Sequence, residues 1–422
     1  MTLEKKVYDT AVVGGGLTGL TAAVYLARAG KSVIVFEKES RLGGLAQTAK
    51  MNGALFNLGP HAMYEGGAAL RILSELGCLP NGGYAFKGSM IGILQGKIVE
   101  VPNDLTPEES REWGALMSGI GQIDTESILS VNLRKWVDDN IFHERVRLLF
   151  LAMCRQWTYC DGMNVMSAGF AIRQGQLAGK GVRYVEGGWQ IVVDSLRDAA
   201  AQAGASFVTG NGVRQIQVKN ERVCGVQLSD GTEIKASAVI AATGPQELCR
   251  LLPGADRLSI GRWKEESRPL YAACLDVALK QFPYPERVFA LGLDEPLYFS
   301  KHSGPVTLSD NGALVLHAMR YNDNDNLRDA QADEKALIDL MDLLEPGWEK
   351  EVVSMRFSPN VLVGYDSHTI HHNGAGPAPG PVVPEVPGLY VAGDWVGAEG
   401  RLADAGMASA KQAAEEVLRY TN

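Results

Sequence analysis

Three glycines and one acid near the N-terminus have the types and spacing of a nucleotide-binding site. Gly14, Gly16 and Gly19 form the pattern G-x-G-x-x-G, and Glu37 follows eighteen residues after the last of them. The first glycine permits a tight turn, the second lets the backbone approach a pyrophosphate, and the third lets a helix pack closely on a sheet. The Glu37 carboxylate can accept hydrogen bonds from both ribose hydroxyls. The pattern indicates dinucleotide binding, and nicotinamide and flavin dinucleotides fit it equally.

The sequence around the glycines and Glu37 predicts the strands and the helix that must position them. Residues 10–13 form a short apolar run rich in β-branched side chains, which predicts a buried parallel strand. A helix is predicted over about 17–29 and a second strand over 32–36, with the acid at its C-terminal end. The free N–H groups at the start of the helix, around Leu17 and Thr18, would face the pyrophosphate.

Length and composition are those of an ordinary globular protein. The 422 residues predict two or three domains. The net charge of −9, from 40 basic and 49 acidic side chains, argues against a nucleic-acid partner. The first residues are polar, no apolar run approaches membrane-spanning length, and the six cysteines are scattered. We therefore expect a cytoplasmic protein with reduced thiols and no transmembrane segment.

Two further segments make the pattern specific. Arg41-Leu42-Gly43-Gly44 follows the acid, and the later turn Leu58-Gly59-Pro60-His61 exposes its backbone. Together with the first glycines, these segments resemble the FAD-binding amine oxidase, protoporphyrinogen oxidase and phytoene desaturase superfamily. The resemblance implies that the R-x-G-G segment runs beside the cofactor pyrophosphate. It also implies that the turn at Gly59–His61 approaches the flavin ring.

The C-terminal end carries the other half of the resemblance. A predicted strand delivers Gly393 and Asp394, and a helix is predicted to begin near Ala403. Asp394 would accept hydrogen bonds from hydroxyls of the ribityl chain or the phosphate side. The N–H groups at the helix start would face the flavin pyrimidine oxygen and stabilise negative charge there. The expected cofactor is FAD, held non-covalently because no cysteine follows Cys274 to form the cysteinyl link of some amine oxidases.

The expected cofactor site is assembled from both ends and the middle of the chain. By the resemblance, the residue at Val213 pairs its backbone with adenine. The predicted cofactor-binding residues are Gly14, Gly16, Leu17, Thr18, Gly19, Glu37, Lys38, Arg41, Gly43, Gly44, Leu45, Gly59, Pro60, His61, Val213, Gly393, Asp394, Leu402 and Ala403. Neither 208–212 nor 242–245 repeats the glycine pattern, so no nicotinamide site is expected. Electrons would then pass from the reduced flavin to oxygen, a quinone or another acceptor.

The predicted fold is α/β, with a Rossmann-like FAD-binding domain of the amine-oxidase type built from discontinuous segments. A mixed-sheet substrate domain with a helical insertion accompanies it. The FAD-binding parts are predicted at 1–75, 181–250 and 366–422, and the substrate domain at 76–180 and 251–365. In the resembled family the insertion caps the substrate cavity and in some members rests on a membrane, which leaves open a peripheral membrane contact.

Candidates for acid–base chemistry are few. His61 is the titratable residue that the resemblance places at the flavin, where it could polarise the ring or take a proton. A structural role is the alternative for this side chain. Lys301, Tyr298 and His317 lie on candidate pocket strands, although one-sided burial of a strand explains the aromatic residues equally well.

Three histidines close in sequence, His368, His371 and His372, raise the question of a metal site. Asp366 is the only adjacent carboxylate and no cysteine is near. We therefore interpret them as surface histidines and expect no metal.

Departures from the family patterns narrow the predicted reaction. Amine oxidases of the resembled family typically show an aromatic pair facing the flavin and a lysine that holds a water at its N5. Here Arg401 precedes Leu402-Ala403, without the tyrosine expected just before the helix. The Gly393-Asp394-Trp395 segment looks closer to the desaturase branch, which acts on polyisoprenoids.

These patterns together predict an FAD-dependent oxidoreductase that removes two electrons and protons from a small apolar or weakly polar substrate. Desaturation of C–C bonds is the specific prediction. An amine oxidase or a protoporphyrinogen oxidase-like enzyme is the first alternative. An alternative of another class is a redox-neutral flavin-dependent isomerase or a non-catalytic flavoprotein. The sequence assigns no oligomeric state.

Overall fold

The computed structural model describes residues 7–85, 90–322, 329–366, 368–370 and 378–421. Two seven-stranded sheets and two small sheets form its framework. The strands are β1 (Val7–Val13), β2 (Val33–Glu37), β3 (Thr48–Met51), β4 (Ala54–Asn57), β5 (Met63–Tyr64), β6 (Gly82–Tyr84), β7 (Met90–Leu94), β8 (Lys97–Val101), β9 (Val182–Val185), β10 (Ser206–Thr209), β11 (Val213–Lys219), β12 (Arg222–Leu228), β13 (Glu233–Ala241), β14 (Leu270–Leu279), β15 (Phe289–Gly292), β16 (Leu297–Lys301), β17 (Leu314–Asn322), β18 (Val352–Gly364) and β19 (Leu389–Val391).

Helices connect and cover the strands. They are α1 (Leu17–Arg28), α2 (Ala68–Glu75), α3 (Pro107–Gly119), α4 (Leu133–Asn140), α5 (Glu144–Thr158), α6 (Ala168–Ala178), α7 (Gln190–Gln202), α8 (Pro245–Leu251), α9 (Ser259–Glu266), α10 (Ala330–Leu344) and α11 (Ala403–Thr421). None of the helices in the described ranges is long and apolar enough to cross a bilayer.

The first large sheet is the nucleotide-binding one. Its strands lie in the order β10-β2-β1-β13-β12-β11, and β19 pairs with β13. The strands β10, β2, β1, β13 and β19 run parallel, and Val12 pairs with Val35 on one side and Ile240 on the other. These strands are apolar on both faces because apolar clusters cover both faces of the sheet. The sheet thus joins segments from the start, middle and end of the chain, and the predicted α/β fold is confirmed.

The second large sheet has the order β18-β14-β17-β16-β15-β7-β8. The strands β14, β17 and β18 form long antiparallel pairs, and β15 runs parallel to β7. The apolar side chains of α10 pack against this sheet. The predicted mixed sheet is therefore present. The four domain boundaries at 75, 180, 250 and 365 stay predictions.

A helical insertion, α3 to α6, lies between β8 and β9. The first of these helices begins with a capping box, in which Thr106 and Glu109 bond each other's backbone N–H groups, with Pro107 at the first helical position. An apolar cluster that includes Trp136, Phe150 and Trp157 holds the helices together. The helical insertion that the sequence predicted is therefore present.

Candidate cofactor and substrate site

A cavity of about 1110 Å³ is lined by residues of both large sheets and of the helical insertion. The predicted cofactor residues line it, with the exceptions of Gly19, Arg41 and Gly59. The lining begins at Val13 and ends at Asp404, so the cavity gathers segments that are almost the whole chain apart in sequence.

The three glycines of the first loop are required for different reasons. Gly14 has a φ of +109°, and a Cβ there would lie 2.5 Å from the carbonyl oxygen of Ala242. A Cβ at Gly19 would lie 1.9 Å from the carbonyl oxygen of Gly14, because α1 packs closely on the strand. At Gly16 the nearest neighbour of a Cβ would be 3.8 Å away, at Gly43. Packing therefore requires Gly14 and Gly19, whereas Gly16 keeps the cavity wall free of a side chain.

Glu37 is held in place at the end of β2. Its Oε2 accepts a hydrogen bond of 2.9 Å from the Gly15 N–H, and its Oε1 accepts one of 3.0 Å from the Glu39 N–H. The side chain is buried but still lines the cavity. A carboxylate has about four acceptor positions, so the fixed Glu37 retains acceptors for two ribose hydroxyls.

The glycine pair of the R-x-G-G segment, Gly43 and Gly44, lies directly against the loop that carries Gly14 and Gly16. The Gly43 N–H donates to the Gly15 carbonyl oxygen at 2.8 Å. Gly43 and Gly44 have φ values of +130° and +54°, which suit glycine. The Arg41 side chain is exposed and lies outside the cavity lining, so the structure brings the glycines of R-x-G-G to the site and leaves the arginine out.

The C-terminal half of the site centres on Asp394. Its Oδ2 accepts a hydrogen bond of 3.0 Å from the Tyr365 N–H, and burial raises the pKa of its carboxyl to about 6. Burial likewise raises the pKa of Asp404, in the first turn of α11, to about 6. The N-termini of α1 and α11 both reach the cavity, through Leu17 and Thr18 and through Leu402 and Ala403. Two helix N-termini favour negative charge in this cavity.

His61 joins two of the loops. Its Nδ1 lies 3.1 Å from the Gly59 carbonyl oxygen and its Nε2 lies 3.1 Å from the Leu45 carbonyl oxygen. Its ring packs edge-on to that of Trp189. Burial lowers the pKa of the imidazole, and a neutral imidazole can donate to only one of the two carbonyls. Gly59 itself turns with a φ of +82° beside Cys274.

Aromatic side chains from the end of α5, from β9 and from the second sheet line another part of the cavity. Tyr159 stands just past the end of α5, with a φ of +54°. Sequence reasoning singled out Tyr298 and missed the others, because nothing in their spacing distinguishes them from core residues. The aromatic lining residues of this part are Trp157, Tyr159, Tyr184, Tyr271, Phe289 and Tyr298.

The other two residues that the sequence placed on pocket strands are internally paired. Lys301 lines the cavity, but its Nζ lies 2.6 Å from Glu345 Oε1, and both side chains are buried. His317 is fully buried, with its Nδ1 2.6 Å from Asp276 Oδ1. The guanidinium of Arg356 donates to the other oxygen of Asp276 and to the carbonyl oxygen of Asn57. This network ties the second sheet to the chain just before the Gly59–His61 turn.

The expectation that the three histidines near the C-terminal end lie on the surface is wrong for His368. His368 is not a surface residue: its side chain is 13% exposed and its ring stacks on Phe170 with centroids 3.9 Å apart. His371 and His372 lie outside the described residues. Within the described ranges no group of three or more potential ligands could hold a metal ion.

A comparison of the sequence with models of protein families identifies the family of this chain. A family model described as flavin containing amine oxidoreductase matches residues 17–418. The chain belongs to this family. As a flavin-containing oxidoreductase it uses FAD, and the two glycine loops, Glu37 and Asp394 provide a cavity wall that fits this cofactor.

A similar protein with a known name is distant from this chain in sequence. The 4,4'-diaponeurosporene oxygenase of Staphylococcus aureus is 24% identical over 322 residues, which cover 64% of this chain and 63% of that protein's length. The chain thus spans somewhat less than two thirds of that relative.

Solved structures of the same fold cover nearly the full chain. An oxidoreductase from Methanosarcina mazei has a TM-score of 0.76 at 18% identity, covering 97% of this chain and 99% of that one. Cyclohexylamine oxidase from Brevibacterium oxydans has a TM-score of 0.73 at 18% identity, covering 98% and 100%. Putrescine oxidase bound to putrescine has a TM-score of 0.76 at 18% identity, covering 98% and 99%. At these identities the likeness establishes the fold.

Proposed function

We propose that this FAD-dependent oxidoreductase dehydrogenates an organic substrate with a largely apolar body and introduces a C=C bond. The observation that carries the proposal is the aromatic wall that α5 and the second sheet contribute to the cavity. An aromatic wall binds apolar groups through buried area and helps to exclude water from the reacting atoms. The similarity to a protein named for a carotenoid-type substrate is a second support.

The residues of the chain would divide the work. When bound, FAD supplies the acceptor for the two electrons that leave the substrate with its two hydrogens. The glycine loops and the N-termini of α1 and α11 hold the negatively charged cofactor, and Glu37 and Asp394 accept from its hydroxyls. The aromatic wall orients the substrate chain.

His61 is the proposed proton acceptor nearest to the expected flavin position. Burial lowers the pKa of its imidazole, so the ring is neutral and can take a proton. Both ring nitrogens lie 3.1 Å from backbone carbonyls, and protonation would give each carbonyl a donor. The same geometry supports the structural alternative, in which His61 only joins the two loops.

Amine oxidation is the second candidate. Two solved structures of similar fold belong to amine oxidases, and the carboxylate of Asp404 lines the cavity, where it could face an ammonium group. The guanidinium of Arg401 lines the same cavity and would repel that charge. The cavity therefore favours the apolar substrate over the cationic one.

Anaerobic mixing of the purified, FAD-loaded protein with three substrate classes tests this function. We expect linear polyisoprenoids to abolish the visible absorption of the flavin and to yield a product lighter by two hydrogens. Bleaching by amines alone, with release of ammonia on work-up, would replace the proposal with amine oxidation. Bleaching by porphyrinogens alone would replace it with the protoporphyrinogen oxidase-like reaction. A product of unchanged mass, with the flavin still oxidised, would indicate the isomerase.

A further inference from the structure

The buried guanidinium of Arg401 lines the cavity without a hydrogen-bond partner among the residues that the structure describes. Arg401 is 4% exposed, and its Nε, Nη1 and Nη2 atoms make no hydrogen bond to a residue that the structure describes. Burying a charged donor without a partner costs more free energy than burying a neutral one, because the charged group loses more hydration. A guanidinium in this state at a cavity wall can bind an acceptor that the described part of the chain does not supply.

The guanidinium reaches the substrate part of the cavity. Its central carbon lies 5.3 Å from the centroid of the Phe170 ring in α6. Its charge acts on the phenols of Tyr64 and Tyr159, which also line the cavity. Burial raises the pKa of both phenols, that of Tyr159 to about 12, so both keep their protons at neutral pH and can donate. Three donor groups therefore line the same cavity, and the charge of the guanidinium reaches both phenols.

The nearby carboxylates are engaged elsewhere. Asp394 accepts from the Tyr365 N–H, and Asp366 accepts from the His368 N–H at 2.9 Å. Both act on the charge of Arg401 from a distance. A ligand carboxylate in direct contact would lie closer to the guanidinium than either of them, and a contact pair outweighs longer-range repulsion.

We propose that Arg401 binds a carboxylate at one end of the otherwise apolar substrate, with the hydroxyls of Tyr64 and Tyr159 as further donors. The inference rests on the proposed function and names its substrate class: a long-chain or isoprenoid carboxylic acid rather than a plain hydrocarbon. The planar guanidinium can hold both oxygens of a carboxylate at once, which fixes the chain end and sets which carbons reach the reaction centre.

Equilibrium binding to the oxidised, FAD-loaded protein tests the site without turnover. Decanoate, decan-1-ol and decylammonium share one apolar chain and differ only at the head group. Each is titrated while the visible spectrum of the bound flavin and the heat of binding are recorded. We expect decanoate to bind about tenfold to a hundredfold more tightly than decan-1-ol, because charge-assisted hydrogen bonds form with the acid alone. Decylammonium should bind more weakly than decan-1-ol.

Three variants test whether the preference for decanoate over decan-1-ol depends on the side chain of Arg401. Arg401→Gln should bring the ratio of the acid and alcohol affinities close to one, and Arg401→Lys should keep part of it, since lysine retains the charge without the planar fork. Arg262→Gln is the matched control, because Arg262 is 60% exposed on α9 and pairs with Glu266. The control should keep the full ratio.

Several outcomes would overturn the proposal. The first is an acid-to-alcohol ratio near one in the unaltered protein, and the second is a ratio that survives Arg401→Gln. A lower flavin midpoint potential in Arg401→Gln with an unchanged ratio would assign Arg401 to the reduced flavin instead. A lower thermal midpoint of Arg401→Gln without FAD would show that the arginine is structurally paired, whereas relief of an unpaired charge predicts an equal or higher midpoint.

Failure of the site and failure of the proposed function are distinguishable. If decanoate is preferred through Arg401 but no apolar chain ever bleaches the flavin, the dehydrogenation is wrong and the carboxylate site stands. If uncharged polyisoprenoids bleach the flavin at rates that Arg401→Gln leaves unchanged, and acids bind no better than alcohols, the dehydrogenation stands and the site is wrong.

Discussion

His317 and Asp276 form a fully buried pair on adjacent strands of the second sheet, with 2.6 Å between His317 Nδ1 and Asp276 Oδ1. The second oxygen of Asp276 accepts hydrogen bonds from the guanidinium of Arg356. The same guanidinium also donates to the carbonyl oxygen of Asn57. The carboxylate of Asp276 therefore connects the substrate sheet to the loop that leads into the Gly59–His61 turn.

Asp276→Asn should destabilise the protein, because an amide cannot satisfy Arg356 and His317 together as a carboxylate does. Loss of a charged partner in a buried pair typically costs about 3–5 kcal/mol, and the isosteric amide should recover part of that cost. Urea unfolding monitored by circular dichroism measures the change. Asp339→Asn, in an exposed pair with Lys335, is the control and should change the free energy of unfolding by less than about 0.5 kcal/mol. Equal effects of the two substitutions would contradict the assigned role of Asp276.

The buried pair of Lys301 and Glu345 should show strong coupling. Burial lowers the pKa of Lys301 and raises that of Glu345, so each depends on the other to remain charged. Lys301→Met alone should cost about 3–5 kcal/mol, since it leaves a buried carboxylate without its cation. The double variant with Glu345→Leu should recover most of that loss. A double-mutant cycle of unfolding free energies measures the coupling, and additive effects would refute it.

Gly16→Val should abolish FAD binding while the protein still folds. The backbone at Gly16 is extended, with a φ of −79°, and a Cβ there meets no protein atom closer than 3.8 Å. The added side chain therefore occupies cavity space that the pyrophosphate needs. The FAD content of the purified variant and its circular dichroism spectrum test both statements. Gly114→Ala, on an open face of α3, is the matched control and should keep stoichiometric FAD. Stoichiometric FAD in the Gly16→Val variant would refute the assignment of this loop.

Asp394 should make the FAD-free protein less stable as the pH rises. Burial raises its folded-state pKa to about 6 from an ordinary value of 3.8. The folded state therefore keeps the proton on Asp394 up to a higher pH than the unfolded state does. The stabilisation from that proton is present below about pH 4 and is lost by about pH 6, with a magnitude of up to about 3 kcal/mol. Thermal unfolding at several pH values should show a shallower decline for Asp394→Asn. Parallel curves for the two proteins would contradict the raised pKa.

His61→Gln should separate the structural and catalytic roles of this residue. Glutamine offers two N–H donors and could still contact the carbonyls of Leu45 and Gly59. If His61 mainly joins the loops, the variant should retain FAD and lose less than about tenfold in the rate of flavin reduction, whereas a proton acceptor is typically worth about 10²–10⁴-fold. Stopped-flow absorbance across pH measures the rate. A loss above a hundredfold together with disappearance of a pH-dependent step would establish the acid–base role.

Local sequence rules accounted for much of the nucleotide-binding half of the site. The turn at Gly14 follows from its positive φ, and the close packing at Gly19 follows from a contact with Gly14 five residues before it. The strands and helices around them follow from periodicity, so β1, α1 and β2 were predicted close to their observed bounds. The role predicted for Arg41 stays a prediction, because its side chain is exposed and is not among the lining residues of the cavity.

The rest was decided by tertiary structure. The sequence by itself determined that a dinucleotide binds and, through segments nearly 400 residues apart, which family of flavoproteins the chain resembles. It did not predict that Asp276 pairs with His317, that Lys301 pairs with Glu345, or that the side chain of His368 is only 13% exposed. Nor did it indicate that Arg401 lies at the cavity wall with no hydrogen bond to any described residue. Burial and partners depend on strands and helices that are distant in the chain, whereas spacing along the sequence reports only local conformation.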